Sequence, residues 1–329
     1  MEERRWYKGD FHLHTVNSDG RKTPEELYEE LYKKGLDFAF ITDHNFNTVG
    51  EKAADYKGVG LYPGIEVSGN QGHVNVFGEN MGLKSIESPR SPEAYNAVID
   101  PLREKGAFVS VNHPFDRGLP WRMGFEDFRA DSVEVWNAPM HTDDVKCMNW
   151  WREKLLDGVY IPAIGGSDFH RDFFVTRLVA SPTTYVYAAS KSMKDVLAAV
   201  KAGHVFVTNS PKAARLFLTC GQALPGDKVP FTEGATVNVS CDFLRRGQVL
   251  RVYHNGDEVF TCRAKRHKNG LSFDIPVTAP GFVRAEVRYQ LGKVACALYR
   301  KGAAHFGRCD ENEDVPEFIY SFTNPIFFE

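Results

Sequence analysis

The chain has 329 residues, 43% hydrophobic and 25% charged, with a formal net charge of -3. This is enough for one large domain and a smaller one, and the slight acidity argues against a general binder of nucleic acid or of anionic membranes. No apolar run is long enough to cross a bilayer, and the N-terminal MEERRW has no apolar signal core, so a cytoplasmic location is expected.

Residues 8–15 read as a strand that ends at His12 and His14. Two imidazoles two residues apart on a strand share one face. Asp19 follows a short turn later. Thr23-Pro24-Glu25-Glu26 starts a helix: Thr23 caps, proline suits the first helical position, and Glu26 closes a capping box. Leu27 and Leu31 stack along it and Gly35 stops it. Phe38–Ile41 is a short buried strand leading into Thr42-Asp43-His44. Residues 59–65 form a strand delivering Glu66, and His73 opens another over 74–77. Ser91-Pro92-Glu93 starts a helix running to about Lys105. Residues 107–111 deliver Asn112-His113, and 132–135 lead to Trp136-Asn137. A helix covers 143–156. Residues 161–164 precede Gly165-Gly166-Ser167-Asp168-Phe169-His170. A strand at 184–187 and a helix ending at Gly203 follow. The rhythm is that of a parallel α/β protein.

After Pro211 the helical periodicity disappears. Short alternating runs at 215–218, 236–240, 249–253 and 282–287 replace it, with His254-Asn255-Gly256-Asp257 as a hairpin signal. About six to eight short strands suggest an antiparallel, Ig-like sandwich. The expected domains are 1–210 and 211–329. Cys147, Cys220, Cys241, Cys262, Cys296 and Cys309 form no C-x-x-C pair, which argues against a thiolate zinc site. They read as small apolar fillers of a reduced protein.

The chemistry lies in the residues that follow the predicted strands of the first domain: His12, His14, Asp19, His44, Glu66, His73, His113, Asp168 and His170. Each alone has an ordinary structural use as a cap or core residue. Together they are six histidines and three carboxylates from at least five strands. In a parallel barrel such positions face one pit. Imidazole and carboxylate without thiolate suits two or three divalent ions of zinc, manganese or iron.

The motifs DFHLHTVNSDG, FITDHN, GIEVS, GHVNVFG, VNHPF and GGSDFH resemble those of the PHP (polymerase and histidinol phosphatase) metal-dependent hydrolases. RWYKGDFHLHT, VNHPF, EVWN and GGSDFH together are similar to the CehA/McbA-type members, as is the trailing β domain with its Thr323-Asn-Pro-Ile-Phe ending. The resemblance covers about residues 5–210. It implies a distorted seven-stranded, TIM-like β/α barrel with a trinuclear site. His12, His14, Glu66 and Asp168 would surround one ion, Glu66 would bridge to a second held by His73 and His113, and Asp19, His44 and His170 would hold the third.

Such ions can activate a bridging hydroxide near neutral pH. Asp168 or Asp19 is then the candidate to move a proton to the leaving group. Arginine suits phosphate, so Arg171, Arg177 and Arg117 are candidate substrate contacts, with His141 beside them. Trp121 and Trp136 are candidate pocket walls. The expected activity is hydrolysis of a small phosphate monoester or diester, with a carboxyl- or carbamate-ester hydrolase as the alternative. Slight acidity and the lack of a polymerase domain argue against a DNA-repair module. The second domain suits shaping the site's mouth, binding a partner, or joining copies into a homo-oligomer.

Overall fold

Capping chemistry sets the helices. Thr23 Oγ1 accepts from Glu26 N at 3.2 Å, and Glu26 Oε2 accepts from Thr23 N at 2.9 Å, so both halves of the capping box form. The computed structural model describes residues 4–126, 128–172, 178–305, 310 and 312–329. The first part runs β1 (Arg5–Asp10), α1 (Pro24–Lys34), β2 (Phe38–Ile41), β3 (Ala54–Tyr56), β4 (Val59–Gly69), β5 (Gly72–Phe77), α2 (Pro92–Glu104), β6 (Phe108–Asn112), β7 (Ser132–Asn137), α3 (Thr142–Leu156), β8 (Ala163–Gly166), β9 (Thr183–Ala188), α4 (Met193–Ala202) and β10 (Val205–Thr208). The rest runs β11 (Arg215–Thr219), β12 (Lys228–Val229), β13 (Thr236–Asp242), β14 (Val249–His254), β15 (Asp257–Arg263), β16 (Leu271–Pro276), β17 (Gly281–Tyr289), α5 (Lys293–His305), β18 (Phe318–Thr323) and β19 (Ile326–Phe328). No described helix is long and apolar enough to cross a membrane.

The expected closed barrel is not what forms. Sixteen strands make one open mixed sheet, whose main path is β12-β19-β17-β18-β10-β9-β1-β2-β4-β5-β6-β7-β8. Nor is the first part wholly parallel. Only Asn70 and Gln71 separate β4 from β5, too few for a crossover, so these two pair antiparallel, and β5 pairs antiparallel with β6 as well. The sheet curls until β8 approaches β9 and β10, and side chains, not a ladder, satisfy the backbone there. Thr184 Oγ1 accepts from Gly165 N at 3.0 Å and donates to Gly165 O at 2.7 Å. Asn324 Oδ1 accepts from Ala163 N, and its Nδ2 donates to Ala163 O, both at 2.9 Å. A single bridge, Leu13 to Phe169, links the chain beyond β1 to the chain beyond β8.

Hydrogen bonding also runs through Ser210. β10 pairs with β18, so strands from the end of the chain extend the sheet that carries β1. The sandwich character of the later residues lies in a second, three-stranded sheet, β11-β13-β16. Its Leu216, Leu218, Val237 and Val239 bury against Leu250, Val252, Val283 and Val287 of the large sheet. The helix α5 has no counterpart in the sequence expectation. Among the described cysteines, Cys147, Cys220, Cys241, Cys262 and Cys296 are free; Cys309 lies outside the described residues.

Asn324→Ala is expected to cost about 2–4 kcal/mol in urea unfolding, since it leaves both backbone groups of buried Ala163 unpaired. A second test concerns Glu286, fully buried between Arg288, whose Nε lies 2.5 Å from Oε2, and Arg284. Burial pushes its carboxyl up, but the two guanidinium groups outweigh that and hold it at about 2, below its ordinary 4.5. Stabilisation by the ionised form is therefore complete above about pH 4.5 and is lost as pH falls toward about 2. Glu286→Gln is expected to lower the urea midpoint at pH 7 and to flatten its decline over that acid window relative to wild type.

Candidate metal centre

Six chain segments meet in one cluster around Glu66. His12 and His14 follow β1, His44 follows β2, and His113 follows β6. Asp168 and His170 follow β8. Glu66 differs from the expectation: it sits inside β4, not after a strand end, whereas His73 lies at the start of β5, where the sequence reading put it. The register pairs Glu66 with Asn75 and Ser68 with His73. Alternation then puts all four on one face of the hairpin.

Glu66 is fully buried. Around its two oxygens stand His44 Nδ1 at 2.8 Å, His73 Nδ1 at 3.0 Å, His12 Nε2 at 3.2 Å, His113 Nε2 at 3.3 Å and His14 Nε2 at 3.4 Å. Asn112 Nδ2 donates to it at 2.9 Å. Asp168 Oδ1 forms a second focus, 3.1 Å from His14 Nε2, 3.3 Å from His12 Nε2 and 3.5 Å from His170 Nδ1. Asp19 Oδ1 forms a third at the rim, 3.0 Å from His170 Nε2 and 3.6 Å from His44 Nε2. All nine residues are thus brought together. Three subsets have ligand atoms mutually within 4.8 Å and could hold an ion: His14, Asp19, His44 and His170; His12, His14 and Glu66; His44, Glu66 and His73.

The electrostatics fit a cation. Burial opposes ionisation of Glu66 and Asp168, yet the imidazoles around them hold both carboxyls well below the usual range. Burial, helped by the neighbouring His12, outweighs the pull of Asp168 and Glu66 and brings His14 down to about 4, which keeps it neutral, the form that ligates metal. Burial also disfavours charge on His12, but Asp168, Glu66 and Glu134 outweigh it and raise that imidazole well above its ordinary value. Positive charge is therefore demanded where the carboxylates meet. His12 Nε2, His14 Nε2, Glu66 Oε2 and His113 Nδ1 are buried with no hydrogen-bond partner. Such atoms are costly unless something ligates them.

Local backbone chemistry permits the approach. His113 and Asp168 adopt φ of 28° and 45°, left-handed values that non-glycine residues rarely take. Gly20 has no freedom to carry a side chain, since a Cβ there would lie 2.6 Å from the His14 carbonyl. Asp43, beside His44, braces the loop that carries Asp19. It accepts from Thr15 N at 2.7 Å and from Ser18 Oγ at 2.6 Å.

A cavity of about 500 Å³ opens above the cluster, lined by seven of the nine residues and by Asp116–Leu119. Of the expected substrate contacts among the described residues, only Arg117 lines it, and its guanidinium is already engaged. Nε donates to Asp143 Oδ2 at 3.1 Å, and Nη2 donates to Asp143 Oδ1 at 3.1 Å and to Glu313 Oε2 at 2.9 Å. Arg171 faces a separate groove with Arg21 and Lys22. His141 is the buried N-cap of α3, in a capping box with Asp144. Arg177 lies outside the described residues. Trp121 packs against Tyr95 and Phe128, and Trp136 lies in the core, so neither walls the cavity. Sequence reasoning missed Glu134, Asn112 and Ser68, whose Oγ lies 2.6 Å from His44 Nδ1. Glu134 alone carried a signal, as the lone charge in the apolar strand SVEVWN.

No family model matches the chain. An uncharacterized protein of Methanocaldococcus jannaschii, MJ1587, is 29% identical over 155 residues, 42% of this chain and 85% of that protein. Among solved structures, a two-domain protein of Bacteroides vulgatus containing a predicted PHP-like metal-dependent phosphoesterase matches with a TM-score of 0.48 and 19% identity, over 86% of this chain and 90% of that one. An amidohydrolase from Chromobacterium violaceum with bound sulfate and no metal matches with a TM-score of 0.34 and 15% identity, over 52% of this chain and 94% of that one.

Arg117→Ala would leave Asp143, whose side chain is 1% exposed, with Lys146 alone as its cationic partner. The expected cost is about 1–3 kcal/mol, read by urea unfolding, with metal content per chain unchanged.

Proposed function

We propose that the chain is a PHP-type, CehA/McbA-like metal-dependent hydrolase that cleaves a small phosphate monoester or diester. The observation that carries this is the convergence of six imidazoles and three carboxylates around one cavity, with buried imidazole and carboxylate atoms that make no hydrogen bond among the described residues. The donor set suits two or three zinc, manganese or iron ions. His12, His14, Glu66 and Asp168 would hold one, Glu66 with His73 and His113 a second, and Asp19, His44 and His170 the third. When bound, such ions lower the pKa of coordinated water to about 7 and polarise the bond under attack.

The chain's own residues do the rest. Glu66, locked by Asn112 and the imidazoles, fixes the spacing of the cluster. Three carboxylates against two or three divalent ions leave a net positive floor, complementary to a phosphate. Asp19, with its side chain 58% exposed at the rim, is better placed than Asp168 to pass a proton to a departing group. Asp168 Oδ1 is enclosed by three imidazoles.

One observation favours the second reading, a carboxyl- or carbamate-ester hydrolase. Among the described residues that line the cavity, the one guanidinium is spent on Asp143 and Glu313. A neutral ester needs no arginine. The proposed partner is in either case a small molecule, and the proposed location is cytoplasmic.

Protein purified without chelator is expected to carry two or three divalent ions by elemental analysis. It is expected to release p-nitrophenol from p-nitrophenyl phosphate or its bis-ester, to stop after chelation, and to recover with manganese, zinc or iron. Cleavage of p-nitrophenyl acetate alone would favour the second reading. Absence of bound metal, with no activity after reconstitution, would overturn both.

A further inference from the structure

Glu134 is a buried carboxylate beside the cluster that the proposed function leaves without a role. It lies in the middle of β7 and is 2% exposed. Its Oε1 is 3.1 Å from His12 Nδ1. Its Oε2 accepts from the backbone N–H of His113 at 3.1 Å and from Asn137 Nδ2 at 3.1 Å. Both oxygens are thus committed to groups around the cluster, and Glu134 belongs to none of the three subsets that could hold an ion.

Two features of the fold aim it there. The β7–β8 register slips between Glu134 and Trp136, an irregularity of the kind that redirects a side chain. Across the ladder stands Gly166, where a Cβ would lie 2.3 Å from Glu134 Oε1 and 2.5 Å from His12 Cβ. The absence of a side chain at Gly166 is what lets Glu134 and His12 meet.

From this geometry we infer that Glu134 is a positioning residue for the metal centre, acting through His12 and His113 together. An imidazole that donates Nδ1–H to Glu134 keeps the Nε2 lone pair directed at the space shared with Glu66 and Asp168, which lie 3.2 and 3.3 Å away. The same carboxylate clamps the amide of His113, whose backbone is held at φ 28°. One side chain thereby sets the ring of one ligand and the backbone of another. The inference rests on the metal-centre reading above.

The test compares wild type, Glu134→Gln and Glu134→Ala. Folding is followed by circular dichroism and urea unfolding, and zinc affinity by titration against a competing chelator. Glu134→Ala is expected to weaken zinc binding by about 10–100-fold. Glu134→Gln, which keeps one acceptor oxygen but offers an amide where the second stood, is expected to fall between Ala and wild type. If the alanine variant does not fold, the glutamine variant carries the comparison alone. In the zinc-loaded wild type, long-range proton–nitrogen NMR is expected to find the His12 proton on Nδ1. Wild-type zinc affinity in the folded variants, or a His12 ligated through Nδ1, would overturn the role of Glu134. A wild type that takes up no metal at all would overturn the reading of the site itself.

Discussion

A carboxylate with no access to water must be neutralised where it stands, and Glu66 imposes that requirement on most of the first 170 residues. Five imidazoles and one amide answer it, from four different parts of the chain. Their arrival within 3.4 Å of two oxygens needs β2, β4, β5 and β6 in a single register. It also needs left-handed backbone at His113 and Asp168, at a cost of about 1–3 kcal/mol each. Such strain persists where surrounding bonds over-determine it. His113 is clamped by Glu134 and Glu66, and Asp168 by three imidazoles.

The same demand explains why the sheet must curl without closing. β1 and β8 carry His12, His14, Asp168 and His170, so their ends have to meet. Their flanks do not present complementary ladders. Asp10 spans the gap instead, accepting from Ser167 N and Ala180 N at 2.9 Å each. Farther along β8, Thr184 and Asn324 do the same work. Asn324 comes from the end of the chain. The later strands are therefore part of what holds β8 in place, which is a structural reason for the two parts of the molecule to share one sheet.

The cluster was legible because most of its members are chemically unusual beside an apolar run, and because Thr23, Ser91 and Gly35 mark helix boundaries that leave little choice for the strands between them. Glu66 was expected after its strand and lies inside it, since a two-residue connection and a long one both look like a break in periodicity. Pairing partners were not legible at all. Alternation shows which face of a strand is buried and says nothing of which strand lies beside it, so the continuity of β10 with β18 had no local signature. Asn324 and Asn112 were missed for the same reason: an amide whose partner lies over 40 residues away in the chain looks like any other asparagine. The partners of Arg117 were equally hidden. Its nearness to His113 suggested a substrate contact, while Asp143 and Glu313, the groups that occupy it, were invisible at that range.

The fate of Arg117 bears on how selectivity would arise in the proposed hydrolase. A guanidinium held by two carboxylates has little left to offer a phosphate, so a charged substrate would have to find its counter-charge in the ions on the cavity floor. Discrimination between substrates then falls to the shape of the wall, residues 116–119. Asp116 Oδ1 folds that wall into a turn by accepting from Gly118 N and Leu119 N at 2.8 and 3.0 Å. Arg117 pins it to the first turn of α3 and to Glu313, which lies between α5 and β18. Leu119, 47% exposed and lining the cavity, presents an apolar edge to whatever enters. The wall, like the cluster, comes from the first part of the chain, but one of its anchors does not. The metal-type ligands all come from residues 12–170, whereas the wall that faces them is anchored in part by a segment some 140 residues beyond, about as far from the cluster in sequence as the length of a typical domain.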